Sequence, residues 1–401
     1  MTIDFSNFNF ELNTDPNIIK YTHSQNGEKW KGILTLEEYV VREAKLGFSE
    51  ICTKSNDETF RVKYPDFHQY LGIKYFTLKD ESLEVGNGKT DQIVSSCETL
   101  NRLGYCINPN SNGEIEPALI VCIGGVWTMP AHRGKGFAKI MISKLNEFYD
   151  ELRDQPDAPK AIKNMIINLY SEVGDYYSRV EYSSRHVALH EISQLDAFSQ
   201  RYCENKINEN GRFLNFDDYS DLVSLHDDKY KENLLKLHKE NPSSFIFTVA
   251  ADLDIYKWFQ IRDEYIKSKT DKGSPGRTPF GYRFNEDDSH IIWHHSWNDD
   301  ILIITKAYFG SKSQNNKEAR LKEMIAHAIQ EANKQGLKQV EFWNEEIPIK
   351  EEYPEFYQLF TELEPEKNHF KENGSLSAVR PPKGYTPDKV IWDNNTKFCW
   401  F

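Results

Sequence analysis

Residues 118–126 form an unbroken apolar run, Ala-Leu-Ile-Val-Cys-Ile-Gly-Gly-Val, with the composition of a strand buried on both faces. Pro130 and the stretch Arg133-Gly134-Lys135-Gly136 break it. From Phe137 the apolar residues Met141, Leu145, Phe148 and Leu152 recur at helical spacing. A second short apolar run, Met-Ile-Ile-Asn-Leu-Tyr at 165–170, follows the helix. Strand, glycine turn, helix and strand make a right-handed crossover in which 165–170 lies parallel to 118–126. The turn presents consecutive backbone N–H groups at the positive end of a helix dipole, which suits a pyrophosphate. Gly134 and Gly136 lack Cβ atoms and let phosphates approach the backbone, and Arg133 can add a charge-assisted contact.

Two familiar phosphate loops are excluded. No Gly-Lys-Ser/Thr closes the turn, so it is not a Walker A loop. Its spacing and leading arginine do not fit the dinucleotide-binding glycine pattern. The motif is Arg133-x-x-Gly136-x-Ala138, and it resembles the acetyl-CoA loop of the GNAT superfamily of N-acetyltransferases. Within that superfamily the stretch from Trp127 to Gly136 looks most similar to fungal lysine N6-acetyltransferase-like proteins.

The resemblance implies an α/β (α+β) fold with a mixed, mostly antiparallel sheet flanked by helices. Gly124-Gly125 inside the strand marks a bulge. In the resembled family such a bulge splays the strand from its parallel neighbour, and the pantetheine arm of acetyl-CoA enters the gap. Val126, Trp127 and Thr128 are then placed to pair with that arm. Arg133, Gly134, Lys135, Gly136, Phe137 and Ala138 are placed to hold the pyrophosphate. Ser171, at the end of the parallel strand, is a cofactor contact or a cap.

The resemblance also implies a tyrosine that protonates the departing thiolate. Tyr177-x-x-x-Glu181-Tyr182 fits the family's Tyr-x-x-x-Gly-Phe, with Glu181 in place of glycine, and Tyr176 is the neighbour to be distinguished from Tyr177. A phenol of ordinary pKa about 10 can serve as acid. The proton of the attacking ammonium needs a base. The histone-acetylating branch uses a glutamate on the cofactor strand, but residues 118–128 hold no carboxylate and Cys122 stands near that place. A remote or water-relayed base is expected, with the terminal carboxylate of Phe401 one candidate.

The 401 residues suggest more than one domain. After a polar stretch at 193–244, the second half repeats the first coarsely: strand, helix, three strands, helix, strand. It reads as a second, degenerate GNAT-like domain. Phe309-Gly310-Ser311-Lys312-Ser313-Gln314 occupies the equivalent turn without the acetyl-CoA motif. The division expected is 1–192 for the acetyltransferase domain, 193–244 for a connector and 245–401 for the second copy. Other expectations are a first strand near 18–22, two strands at 92–97 and 103–107, a closing strand at 186–192, and a final strand at the aromatic C-terminus. His294 and His295 are adjacent on a strand, so they face opposite ways and cannot easily share a metal.

A net charge of −13 argues against bulk nucleic-acid binding and mildly favours cationic substrates. Six cysteines without paired spacing read as a reduced chain, cytoplasmic or nuclear, with no metal site. No apolar run approaches the roughly 18 residues of a membrane span, and no leader is apparent. The expected activity is acetyl-CoA-dependent N-acetylation of a small amine, with free L-lysine the named candidate. Protein lysine or N-terminal acetylation and non-catalytic acyl-CoA binding stay open.

Overall fold

A computed structural model describes residues 7–47, 58–63, 65–86, 88–215 and 217–399. The chain begins with β1 (Phe8–Asn13), α1 (Pro16–Trp30), α2 (Leu36–Gly47) and α3 (Glu58–Lys63). β2 (Gly72–Asp80), β3 (Ile93–Ile107), β4 (Glu116–Thr128), α4 (Phe137–Arg153), α5 (Lys160–Lys163), β5 (Ile166–Ser171) and β6 (Ser183–Ser184) follow. Next come β7 (Leu189–Ile192), α6 (Leu195–Arg201), β8 (Gly211–Phe213), α7 (Ser220–Glu240), β9 (Phe245–Val249) and α8 (Leu253–Ser268). The remainder holds β10 (Gly281–Phe284), β11 (His290–Ser296), β12 (Ile301–Tyr308), α9 (Lys317–Gln335) and β13 (Gln339–Trp343). Two short helices, Ile349–Glu352 and Pro354–Leu363, precede β14 (Leu376–Arg380) and β15 (Val390–Trp392).

The first sheet runs β1-β2-β3-β4-β5-β14-β6, with β9 joined to β3 and β15 joined to β9. β4 and β5 are parallel, as the crossover requires, and β1 through β4 are antiparallel. One face packs on α4. Met141, Ile142, Leu145 and Tyr149 meet Leu119, Val121, Ile123, Ile167 and Leu169 in a continuous core. Each of these nine residues is at most 4% exposed, and burying side chains of this size contributes roughly 1.5–3 kcal/mol apiece. The stripe expected on this helix is therefore what seats it, and the seating aims its N-terminus.

The second sheet runs β7-β13-β12-β11-β10-β8. Only β12 and β13 are parallel in it, and α9 connects them. The succession β10-β11-β12-α9-β13 therefore repeats β2-β3-β4-α4-β5, as expected. His294 and His295 do diverge. His294 stacks on Phe259 of α8, whereas His295 meets Glu331 of α9 through Nε2 at 3.1 Å.

The contiguous division expected from the sequence is not the one the contacts make. One unit comprises Met1–Arg185, Lys231–Ala250 and Ser375–Asp393; the other comprises His186–Tyr230, Ala251–Gly374 and Asn394–Phe401. β9 was expected to open the second copy, yet it pairs with β3 and β15 in the first sheet. Residues 186–192 were expected to close the first domain, yet β7 pairs with β13 in the second sheet. The neighbour of β5 is β14, some two hundred residues downstream. Alternation shows that a segment is extended; which edge it joins is a long-range choice that local pattern does not carry.

Smaller differences have local causes. The region near 18–22 is helical because Asp15 caps α1, its carboxylate accepting from Asn17 N–H at 2.9 Å, and Pro16 follows at the first helical position. Residues 92–107 are not two strands but one, β3, since Asn101 pairs with both Gly72 and Val121 and its amide binds Tyr70 O at 2.8 Å. Lys397–Cys399 is a 3₁₀ turn rather than a strand. Phe401 and Cys52 lie outside the described residues.

Candidate functional site

Three features of β4 and the turn after it build the site. The first is the bulge. Ser96 pairs with Trp127 and Glu98 with Gly124, so Cys97 alone faces Gly125 and Val126. Gly125 takes φ +58°, in the left-handed region that its lack of Cβ permits. The second is the divergence from β5. Parallel pairing runs from Ile120↔Ile166 to Ile123↔Leu169 and stops, while β4 continues to Thr128. Among the described residues, the β5-facing edge of β4 is unpaired beyond Ile123. The third is the start of α4. Gly136 is its N-cap at φ +85° and supplies no side-chain cap. Among the described residues, no hydrogen bond is made by the backbone N–H groups of Gly134, Lys135, Gly136, Phe137 or Ala138.

That row of donors contrasts with three other long helices, which use side-chain caps. Asp15, Asp252 and Asn316 cap α1, α8 and α9. A Cβ added to Gly134 would meet nothing within 4 Å, so the space above the loop is open. Phe137 is buried beneath it, edge-on to Phe8 at 5.5 Å, which anchors the first turn. Arg133, Gly134, Lys135 and Gly136 are exposed and Ala138 is half-buried. Arg133 does not project freely. Its guanidinium lies over the Trp127 ring at 4.5 Å and its Nε donates to Thr128 O at 3.3 Å. The donors, the clearance and the adjoining open strand edge fit a coenzyme A thioester, with the pyrophosphate at 134–138 and the pantetheine arm along Val126, Trp127 and Thr128.

The second unit shows how such a loop is closed. At the start of α9 the Asp287 carboxylate accepts from Ser313 N–H at 2.9 Å, and Gly310 N–H donates to Ser289 Oγ at 2.9 Å. Burial works against the Asp287 charge, but hydrogen bonds from Ser313 and Ser289 hold its carboxyl below the ordinary value. A Cβ on Gly310 would sit 1.6 Å from Asp287 O. In the second copy a carboxylate and a serine hydroxyl close the equivalent turn.

Tyr177 lies in the 3₁₀ turn Tyr176–Val180 after β5, packed on the core below the divergence. Burial pushes its phenol above the ordinary value, with Cys97 a further contributor. Cys97, opposite the bulge, is itself raised well above its ordinary value by burial. This environment penalises a thiolate as it does a phenolate, so a phenol beside a departing thiolate is matched to it. Tyr176 is Tyr177's edge-on neighbour at 5.4 Å. Ser171 is committed locally: its hydroxyl donates to Gly174 O at 2.7 Å and accepts from Val173 N–H at 3.2 Å. It forms a turn, and its one O–H donor is used within that turn. Cys122, 2% exposed, sits within the sheet between Leu100 and Asn168.

Glu181 explains its own departure from the resembled motif. It takes φ +77° at the C-cap of the turn, where glycine is the unstrained residue. Its carboxylate pairs with Arg380 at 2.8 Å, and Arg380 also grips Asp150 through two hydrogen bonds at 3.0 and 2.7 Å. Glycine at 181 would relieve about 1 kcal/mol of left-handed strain and lose an exposed ion pair of about 0–1 kcal/mol. Glu181→Gly is therefore expected to leave the urea unfolding midpoint nearly unchanged, whereas Glu181→Val lowers stability by about 1–2 kcal/mol.

Sequence reasoning missed an acidic cluster on the opposite face of the sheet from α4. Cross-strand partners share a face, so Glu98, Gly124, Cys122 and Asn168 all open on that side. Glu98 Oε2 lies 3.4 Å from His23 Nε2 of α1, and these atoms with a carboxylate oxygen of Glu43 fall within 4.8 Å of one another. Desolvation opposes a charge on His23, but its hydrogen bond to Glu98 and the nearby Glu43 raise its pKa overall. Asn168 is fully buried, and among the described residues neither of its amide atoms has a hydrogen-bond partner. Alternation within β3 placed Glu98 on that face; nothing local paired it with a histidine 75 residues away. Beside the cluster, a pocket of about 800 Å³ is lined by Ser24, Glu28 and Trp30 of α1, by Trp127 and Thr128, and by Val173. Trp30 meets Trp127 edge-on at 5.7 Å and donates to Glu172 at 3.1 Å.

The GNAT LYC1-like family, described as the LYC1 GNAT-like C-terminal domain, matches residues 197–401. The Saccharomyces cerevisiae protein YGR111W is 56% identical over 392 residues, covering 98% of this chain and 97% of its own. A Yarrowia lipolytica protein named lysine acetyltransferase is 23% identical over 374 residues, covering 83% of each chain. A GCN5-related N-acetyltransferase structure from Anabaena variabilis aligns with 93% of this chain and 72% of its own, at 11% identity and a TM-score of 0.48. With its model matching residues 197–401, more than half of the chain, the chain belongs to the LYC1-like family of the GNAT superfamily.

Proposed function

We propose that this protein is an acetyl-CoA-dependent N-acetyltransferase whose acceptor is a small primary amine, with free L-lysine the first candidate. The observation that carries the reading is the row of unpartnered N–H groups from Gly134 to Ala138, beside a strand edge left open past Ile123. When bound, the thioester supplies the activated acetyl group. The chain's own residues do the rest. The loop donors hold the phosphates, the open edge of β4 orients the pantetheine arm, and the N–H groups at the bulge face the position of the thioester carbonyl. Tyr177 keeps its proton at neutral pH and delivers it to sulfur. The name of the Yarrowia relative supports lysine as acceptor.

A thiol-release assay across a panel of amines tests this. Free lysine is expected to be acetylated at the side-chain nitrogen, with peptides bearing lysine far poorer acceptors. Release from peptides but not from free lysine transfers the activity to protein substrates. Tight coenzyme A binding with no release from any acceptor leaves a binding protein and refutes the transferase reading.

A further inference from the structure

We infer that Glu98, held by His23, is the base that takes the proton from the acceptor amine. This rests on the transferase reading above and supplies the group that the sequence left unnamed. Residues 118–128 of β4 hold no carboxylate, but the neighbouring β3 delivers one opposite the bulge. The bulge opposes Glu98 to Gly124, and a Cβ built on Gly125 would lie 3.3 Å from Glu98 Oε1. The carboxylate therefore stands against the strained turn of the cofactor strand, on the face that α1 and α2 cover. It is shielded but reachable, its side chain 16% exposed.

The groups around it come from every element packed there. From α1, His23 is almost fully buried and donates to Oε2 through Nε2. α2 supplies Tyr39, Arg42 and Glu43; Tyr39 is bonded to Asn26 through its hydroxyl at 3.1 Å. β2 supplies Tyr75, edge-on to His23 at 5.6 Å, while Cys97, next to Glu98 on β3, is turned to the other face, into the core under α4. Three ligand-type side chains so close could suggest a cation site. Arg42 argues against it: its Nε and Nη2 both donate to Glu43 Oε1, at 2.7 and 2.5 Å, so a fixed cation already holds that carboxylate. The remaining pair, Glu98 with His23, is left to handle a proton. Through its hydrogen bond His23 orients the carboxylate and moderates its charge, which makes it a positioning residue.

The step balances. Glu98 takes one proton from the ammonium and frees the nitrogen lone pair. That pair forms the C–N bond at the acetyl carbon, and the C–S bond breaks with its electrons on sulfur. Tyr177 gives its proton to sulfur and is restored by the second nitrogen proton as the amide forms. Glu98 then loses its proton to solvent, so each turnover releases one proton.

The test compares Glu98→Gln, Glu98→Asp and His23→Gln with the wild type. Each is assayed by the pH profile of kcat/KM for the best amine, with coenzyme A binding followed by calorimetry. Glutamine keeps the shape and the contact with His23 but cannot accept a proton. Glu98→Gln is expected to lower kcat by about 10²-fold or more and to remove the acidic limb of the profile, with coenzyme A affinity unchanged. Glu98→Asp should keep the limb at reduced rate, and His23→Gln should shift the limb without removing it. An NMR titration gives a readout apart from turnover: the His23 imidazole should titrate at lower pH in Glu98→Gln, because the carboxylate that raises it is gone. Wild-type rate and profile in Glu98→Gln would overturn the assignment while leaving the transferase reading intact. So would loss of the limb in His23→Gln alone. A wild type inactive on every amine removes both.

Discussion

Replacing Gly136 with aspartate is expected to cost coenzyme A affinity at least about 10²-fold while leaving the fold standing. Gly136 holds φ +85° at the head of α4, and the five N–H groups around it have no protein partner among the described residues. Aspartate tolerates the left-handed conformation better than most residues and is a strong N-cap. Its carboxylate would do here what Asp287 does in the second unit, occupying the donors from within. Capping contributes about 0.5–2 kcal/mol, which offsets about 1–2 kcal/mol of backbone strain. Charge-assisted hydrogen bonds contribute about 1.5–3 kcal/mol each, so losing two of them removes about two to four powers of ten in affinity. Calorimetry with coenzyme A, together with thermal unfolding, separates the two effects. Affinity within threefold of wild type would mean that the row of N–H groups is not where the diphosphate sits.

Tyr177→Phe is expected to lower kcat by about 10²-fold or more and leave coenzyme A binding unchanged. The hydroxyl is raised by burial and remains protonated through neutral pH, so its removal takes away a proton donor and no charge. Its ring packs on the core and against Tyr182 at 6.2 Å, and phenylalanine keeps both contacts. Tyr176→Phe is the control, since phenylalanine keeps the edge-on contact with Tyr177 and removes only the neighbouring hydroxyl. If Tyr176→Phe impairs turnover and Tyr177→Phe does not, the acid has been assigned to the wrong tyrosine. Steady-state kinetics with saturating acetyl-CoA decides it, because an effect confined to KM would indicate packing rather than proton transfer.

Much of the site was legible because it is local. The loop motif, the double glycine of the bulge and the stripe that seats α4 all lie within 118–152, where periodicity and glycine placement report directly on backbone geometry. Tyr177 was singled out by the resembled motif Tyr-x-x-x-Gly-Phe, in the place after β5 where that motif falls. Ser171 was ambiguous for a physical reason: a serine after a strand can bind a ligand or close a turn, and only its partners, Gly174 O and Val173 N–H, show which. Glu181 looked like a defect in the motif until Arg380, 199 residues away, was found beside it.

What the sequence determined by itself is the crossover from β4 through the glycine turn and α4 to β5, because propensity, apolar period and glycine conformation act over a few residues. Only the tertiary structure decided which strands share a sheet. It put β14 beside β5, β9 beside β3 and β7 beside β13, and it brought His23 to Glu98. Those pairings depend on which buried edges and faces satisfy one another across the whole chain, and a backbone edge offers nearly the same hydrogen bonds to any strand. The choice is made by the summed burial of side chains far apart in sequence, which no short window contains.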